Sequence, residues 1–325
     1  MKPLLVVENL KVHFDTYDGV VKALDGVTFD VYEGETFGLV GETGCGKTVT
    51  VLSIMRLLPE NSRIVSGRIM LRGENLLEKS EDEMAKLRGR KISMIFQDPL
   101  ASLNPVFTVG EQITRVIMIH QQLSKEKARE RAIEAFKLVA LPEPEKILKT
   151  YPHELSGGMQ QRVMIAMALS TDPDLLIADE PTSLLDVTIQ AQILKLLQEI
   201  KSRKKLTILL ITHNMGIVAE YCDRVGVMYA GTIVERGPVK QILKKPYHPY
   251  TKGLLAAIPK PESRKRRLHV IEGFIPDLIN RPRGCSFHPR CPYAREVCRE
   301  KEPVAEEVEP GRYVMCHLVE EVVVA

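Results

Sequence analysis

Two glycine-rich stretches of this chain have the composition of phosphate-binding loops. The first, Gly41-Glu42-Thr43-Gly44-Cys45-Gly46-Lys47-Thr48, fits the spacing G-x-x-x-x-G-K-[ST]. Glycines so placed let backbone N–H groups close round the β- and γ-phosphates of a nucleotide. Lys47 adds a point charge, and the Thr48 hydroxyl can ligate Mg²⁺. Thr50, just beyond, is counted with the nucleotide-contacting residues. The second stretch is Leu155-Ser156-Gly157-Gly158-Met159-Gln160-Gln161-Arg162. Here Ser156 is a good N-cap, Gly157 and Gly158 admit close approach of an anion, and the positive end of a helix over Met159–Ser170 faces them. Taken alone, Ser-Gly-Gly is an ordinary helix cap. One nucleotide needs only one cradle, so a second calls for a reason.

Acidic and amide side chains at strand ends supply the remaining chemistry. Leu175-Leu176-Ile177-Ala178-Asp179-Glu180-Pro181 is an apolar run closing on two acids, the pattern of a central parallel strand whose carboxyl end meets a ligand crevice. Asp179 is expected to hold Mg²⁺ through water and Glu180 to polarise the attacking water; otherwise the two acids merely cap the next helix. Leu206–Thr212 is a similar run ending at His213, expected beside the first, which brings the imidazole within reach of the γ-phosphate. Gln97 follows the short run Ile92–Phe96 and stands at a third strand end, a further candidate Mg²⁺ ligand.

In this order the motifs resemble those of the ATPase subunit of an ATP-binding cassette (ABC) transporter, over about residues 1–245. The resemblance makes Gly41–Thr48 the Walker A loop, Gln97 the Q-loop and Leu155–Met159 the signature. It makes Leu175–Asp179 Walker B with Glu180 as catalytic base, Ser183-Leu184-Leu185-Asp186 the D-loop and His213 the switch histidine. Tyr17 is the candidate for the aromatic that stacks on adenine, with Phe14 as the alternative. It also accounts for the second cradle. Two such chains dimerise head to tail, and each ATP is held between the P-loop of one and the signature helix of the other. Met159 stands where many members carry Gln.

The elements that must position these residues are legible in outline. A P-loop flanked by the run Phe37–Val40 and a helical stretch Thr48–Leu58 implies an α/β fold: a RecA-like parallel sheet plus an antiparallel β layer. That layer is expected from the alternation over residues 3–40, with Asp25-Gly26 and Glu33-Gly34 as turns, and from strand character at Ser66–Leu71. A helix is expected at Ser80–Gly89. From about residue 98 to 171 strand signals vanish, and Val109–His120 and Ser124–Ala140 carry helical spacing, the mark of a helical subdomain inserted in the core. The resemblance places a membrane subunit's coupling helix in the cleft beside Asp98–Pro105.

The chain has 325 residues and a formal net charge of +3, too small to decide for or against nucleic acid. No run approaches the roughly 18 apolar residues needed to span a bilayer, nor does Met1–Leu10 have the apolar core of a secretory signal. A cytosolic chain is therefore expected, and the resemblance implies a peripheral place on the cytoplasmic face of the membrane, held through partners. Partners implied by the resemblance are a second ATPase subunit, a paralogue or a copy, two integral membrane permeases and, indirectly, an extracytoplasmic binding protein. A soluble ABC ATPase acting on nucleic acid or the ribosome is disfavoured by the single cassette without heptads, and a non-hydrolysing regulatory subunit by the intact Glu180 and His213.

Beyond Gly237 the composition changes, and a boundary near 245 separates residues 1–245 from a carboxyl-terminal extension, 246–325. Arg264-Lys265-Arg266-Arg267 is read as a solvated linker face, with lipid headgroups or a partner's acidic surface as the sharper option. Four of the six cysteines, Cys285, Cys291, Cys298 and Cys316, fall in the extension. In a reducing compartment such clustering suits a metal centre that substitutes for a core. Their gaps of five, six and seventeen residues are wide for structural zinc, to which His288 and His317 could also contribute, whereas four thiolates suit an iron–sulfur cluster. Tyr247-His248-Pro249-Tyr250-Thr251-Lys252-Gly253-Leu254-Leu255, then Pro259-Lys260-Pro261, narrows the resemblance to dipeptide and oligopeptide importers. That implies peptide import, with nickel import as the alternative, and a [4Fe-4S] cluster, with zinc as the alternative. Of the remaining thiols, Cys222 is expected to be packed and Cys45 to be a small residue filling a tight turn, with a thiol pKa lowered by the helix start as the sharper alternative.

Overall fold

The computed structural model describes residues 2–258 and 270–319, which form two compact units: residues 1–77 with 212–325, and residues 78–211. The run Arg264–Arg267 and Pro259-Lys260-Pro261 lie outside the described residues.

The chain opens the first unit with β1 (Pro3–Thr16), β2 (Gly19–Tyr32), β3 (Thr36–Val40), α1 (Lys47–Met55), β4 (Ser62–Leu71) and β5 (Glu74–Asn75). It runs through the second as α2 (Glu81–Leu87), β6 (Ile92–Ile95), α3 (Pro99–Ser102), α4 (Val109–Gln121), α5 (Lys125–Leu138) and α6 (Pro144–Ile147). There follow α7 (Gly157–Leu169), β7 (Leu175–Asp179), α8 (Val187–Lys204) and β8 (Thr207–Thr212). Back in the first unit come α9 (Met215–Tyr221), β9 (Arg224–Tyr229), β10 (Thr232–Pro238), α10 (Val239–Lys244), α11 (Pro249–Ala256), α12 (Glu296–Glu300), β11 (Glu306–Glu309) and β12 (Arg312–Val314).

In the first unit an antiparallel sheet has the order β2-β1-β4-β5, as the alternation of residues 3–40 requires. Its faces alternate because one side must be buried: Leu5, Val7, Leu10 and Val12 of β1 are fully buried. The expected turn at Glu33-Gly34 joins β2 to β3, but Asp25-Gly26 is a correction. Gly26 (φ 88°) lies inside β2 at a register shift, where Val27 pairs with Leu10 and Asp25 with Lys11, so this pair bulges the strand and does not end it. Also in this unit, β3 pairs parallel with β9, and β10, β12 and β11 continue antiparallel from it.

In the second unit β6, β7 and β8 pair parallel in that order, and every residue of the three is buried. This is why their sequences are mostly apolar without regular polar alternation, the exceptions Ser93, Asp179, Thr207 and Thr212 being buried as well. Between β6 and β7 the chain is helical, as expected. Thr108 and Glu111 cap α4 reciprocally, Ser124 caps α5, and both helices pack on α7 or its neighbours through buried Ile113, Ile117, Ala132 and Phe136.

The described part of the extension does not stand apart from residues before 245. Glu235 and Arg236 of β10 pair with Val314 and Tyr313 of β12. Tyr250 and Phe287 join Val40, Val227, Tyr229 and Ile242 in one hydrophobic cluster. Tyr229, Tyr250 and Phe287 contact one another with ring centroids 4.7 to 5.4 Å apart. A fully buried ion pair, Arg312 to Glu235 at 2.8 Å, ties the last strand in. The expectation that a metal substitutes for a core in this segment is thereby corrected: the described extension has an apolar and ionic core.

Candidate functional site

The glycine loop joins β3 to α1, and two of its glycines are required by space and backbone. A Cβ on Gly41 would lie 2.2 Å from the carbonyl oxygen of Met228, so the loop can press against β9 only with hydrogen there. Gly46, at φ 109°, starts α1 in a conformation that side chains resist. Lys47 is buried, and its ammonium donates to the carbonyls of Gly41 (2.8 Å) and Glu42 (3.0 Å). Thr43, Gly44 and Thr48 are exposed at the mouth of the loop. Thr50 is fully buried and its hydroxyl donates to Gly46 O at 3.0 Å, bracing the helix start from behind. Cys45 is also buried, and burial pushes its thiol up, outweighing the Lys47 ammonium 3.8 Å away. Cys45 thus fills a tight turn, as expected, and the alternative of a thiol pKa lowered by the helix start fails, because desolvation of a thiolate in a closed turn is the larger effect. Cys222 is packed as expected, under Gly38, where a Cβ would meet its sulfur at 2.9 Å.

Elsewhere in the first unit, Tyr17 sits fully exposed at the turn between β1 and β2, whereas Phe14 is partly covered within β1. His213 is exposed immediately before Asn214, whose side chain caps α9 by accepting from Gly216 N at 2.8 Å.

In the second unit Asp179 and Glu180 end β7. Asp179 is buried, and Glu180 turns into a left-handed backbone conformation, φ 44°, rare and strained for a residue with a side chain. Its N–H donates to Ile211 O at 3.0 Å and its carbonyl accepts from Ser183 N at 3.2 Å, so the turn is fixed on both sides. Gln97, beyond β6, donates to the Glu180 carboxylate at 3.3 Å. The parallel pairing of β6 with β7 brings these two residues together across 83 positions of sequence. The helix cap in this turn is Asp186, which accepts from Ile189 N at 3.0 Å and starts α8; neither Asp179 nor Glu180 caps it.

Ser156 occupies the N-cap position of α7, as expected, but its side chain does not accept the capping bond from the first turn. Ser156 and Gly157 are exposed, so the first N–H groups of α7 open outward. Gln160 fixes the approach to them, donating to the carbonyls of Pro152 (2.9 Å) and Leu155 (3.1 Å).

The four extension thiols draw together. Cys285 N donates to Cys298 O at 2.8 Å, and Cys285, Cys298, Cys316 and Leu318 share a small apolar cluster. Burial pushes Cys285 up to about 11 and Cys316 up to about 12, the neighbouring thiols adding to the shift, and Cys291 is raised for the same reasons. Among the described residues no three His, Cys, Asp or Glu side chains converge to hold a single metal ion. His288 and His317 instead bond to backbone carbonyls, of Cys285 and Lys301.

Sequence reasoning missed the contacts from the extension to the P-loop. Tyr250 is buried against Tyr229, and its hydroxyl accepts from Glu42 N at 2.9 Å. The Tyr-His-Pro-Tyr string carried the signal, since Pro249 at a helix start after a capping His248 fixes where Tyr250 points.

Residues 24–183 match the ABC transporter family, and residues 234–298 match the oligopeptide/dipeptide transporter C-terminal region. The chain is 50% identical to the dipeptide transport ATP-binding protein DppD of Bacillus subtilis, over 93% of this chain and 91% of that protein. It is 48% identical to the oligopeptide transport ATP-binding protein OppD of Escherichia coli, over 96% and 92%. Its fold is similar to that of a dimeric ATP-binding cassette in a post-hydrolysis state bound to ADP and phosphate. That match has a TM-score of 0.65 at 26% identity and covers 72% of this chain and 98% of that one. With a P-loop, a strained acid at the end of a buried strand and near-full-length relatives at about half identity, the chain belongs to the ABC transporter ATPases, in the group with the oligopeptide/dipeptide transporter C-terminal region.

Proposed function

We propose that this chain is the ATP-hydrolysing subunit of a peptide importer, peripheral to the membrane. The observation that carries the reading is the Gln97–Glu180 pair, with Glu180 held in a strained turn at the end of β7. A carboxylate fixed in this way is suited to orient and deprotonate water without reorganising. ATP phosphates would lie in the loop Gly41–Thr48 on its N–H groups and Lys47, with Tyr17 against adenine and His213 near the γ-phosphate. Thr48, Gln97 and Asp179 would hold Mg²⁺, which neutralises charge developing on the phosphates. Ser156, Gly157 and Gly158 of a second ATPase subunit, with its Asp186, would complete the site, so that ATP joins two subunits and hydrolysis parts them.

A permease's coupling helix would lie beside Asp98–Pro105, and a groove of about 460 Å³ lies on the same helical part of the second unit. Met118 and Ile119 give it an apolar wall, and Arg115, Lys125, Arg129 and Lys149 surround it. The four extension cysteines have the donor type that a [4Fe-4S] cluster takes, with zinc as the alternative, and a cluster would relieve the raised thiol pKa values by taking the thiolates as ligands. Brown colour and iron in anaerobically purified protein are the expected result; one zinc per chain and no visible absorption would exclude the cluster. For the function itself, Glu180→Gln is expected to reduce ATP turnover at least ~100-fold while ATP still binds and traps a dimer. Unimpaired turnover in that variant would overturn the assignment of the base.

A further inference from the structure

The P-loop residue Glu42 is gripped at both ends by the extension. Its backbone N–H donates to Tyr250 Oη, and its carboxylate receives two parallel bonds from Arg290, Nη1 to Oε2 at 2.8 Å and Nη2 to Oε1 at 3.1 Å. The Arg290 side chain is 5% exposed. Two further donors go to the carbonyls of Glu272 (Nε, 2.9 Å) and Ile271 (Nη2, 3.2 Å), and its guanidinium lies 5.7 Å from the centre of the Tyr229 ring. The fork is thus held by four acceptors and has no freedom to swing away. Glu42 immediately follows Gly41, and its carbonyl is one of the two acceptors that hold the Lys47 ammonium.

We infer that Arg290 is a positioning residue for nucleotide binding. By fixing Glu42 it fixes the carbonyl on which Lys47 rests and the curvature of the loop whose N–H groups meet the phosphates. Arg290 acts through Glu42. A carboxylate so near the phosphates would repel them; paired in a bidentate bridge, its charge is neutralised and its loop stiffened. Both consequences act on affinity for the nucleotide and not on the chemical step.

The test is calorimetric titration of the full chain with MgADP, which needs no turnover and no partner. Arg290→Gln is expected to weaken binding about three- to tenfold, and Arg290→Lys, which keeps the charge but not the fork, by an intermediate factor. In a Glu42→Gln background Arg290→Gln is expected to cause no further loss, because the partner charge is gone. In the assembled importer the same variants are expected to raise KM for ATP and to leave kcat within about twofold. An unchanged dissociation constant in Arg290→Gln, an equal loss in the Glu42→Gln background, or a fall in kcat at constant KM would each overturn the role. If Arg290→Gln fails to fold, Arg290→Lys alone decides, an unchanged affinity refuting the proposal. Failure of the unsubstituted chain to bind MgADP would instead refute the P-loop assignment on which the proposal rests.

Discussion

His248 makes the stability of the extension depend on pH, and the size of the effect can be worked out. The ring is 1% exposed, packed against Phe287 with centroids 5.6 Å apart, and its Nδ1 accepts from Tyr250 N at 3.1 Å at the start of α11. Burial lowers its pKa from 6.5 to about 3. Below pH 6.5 the unfolded chain therefore binds a proton that the folded chain refuses, and stability falls as pH falls until the folded pKa near 3 is reached. With these two values the loss between pH 7.5 and pH 5 is roughly 2 kcal/mol, a slope approaching 1.4 kcal/mol per pH unit at the lower end. His248→Asn keeps an acceptor for Tyr250 N but has no proton to gain. It should cost about 1–2 kcal/mol at pH 7.5 through lost ring packing, and that difference should shrink to zero or reverse by pH 5. Urea unfolding of both proteins at pH 7.5, 6 and 5, followed by far-ultraviolet circular dichroism, measures this directly. Parallel stability curves for the two proteins would refute the reasoning, since no other difference between them titrates in this range.

Arg312→Met should destabilise by about 3 kcal/mol, because it leaves the Glu235 carboxylate buried with only the N–H groups of Tyr247 and His248; pairing it with Glu235→Gln should recover part of that loss in urea unfolding. Lys47→Ala should weaken MgADP binding by at least ~10-fold, read by the same calorimetry, because it removes the buried ammonium of the loop. Maleimide labelling of Cys45 at pH 7.5 should be slower than that of a free thiol by at least ~10-fold, since its thiol is buried and its pKa raised; rapid modification that Cys45→Ser abolishes would contradict this.

The cassette was legible because its residues carry local constraints. A loop against β9 demands Gly41, strands buried on both faces demand apolar runs, and α4 and α5 begin at Thr108 and Ser124 because those side chains cap. Asp25-Gly26 misled for the same reason in reverse: a turn-forming pair also forms a bulge, and only the pairing of β1 with β2 distinguishes them. At Cys45 the alternative of a lowered thiol pKa fails because a helix start and a buried turn shift a thiol in opposite directions, and burial is the larger effect.

By itself, the sequence determined the P-loop, the acid pair Asp179 and Glu180, the signature at Leu155–Met159, the helical insertion and the thiol cluster, since each depends on residue types within a few positions. Tertiary structure alone decided that Gln97 meets Glu180, that Arg312 is buried on Glu235, and that the extension reaches back to Glu42 through Tyr250 and Arg290. Those partners lie 77 to 248 positions apart. No local propensity specifies such pairings; they follow from which strands and helices bury one another, and from the need of each charge so buried to find its counterpart.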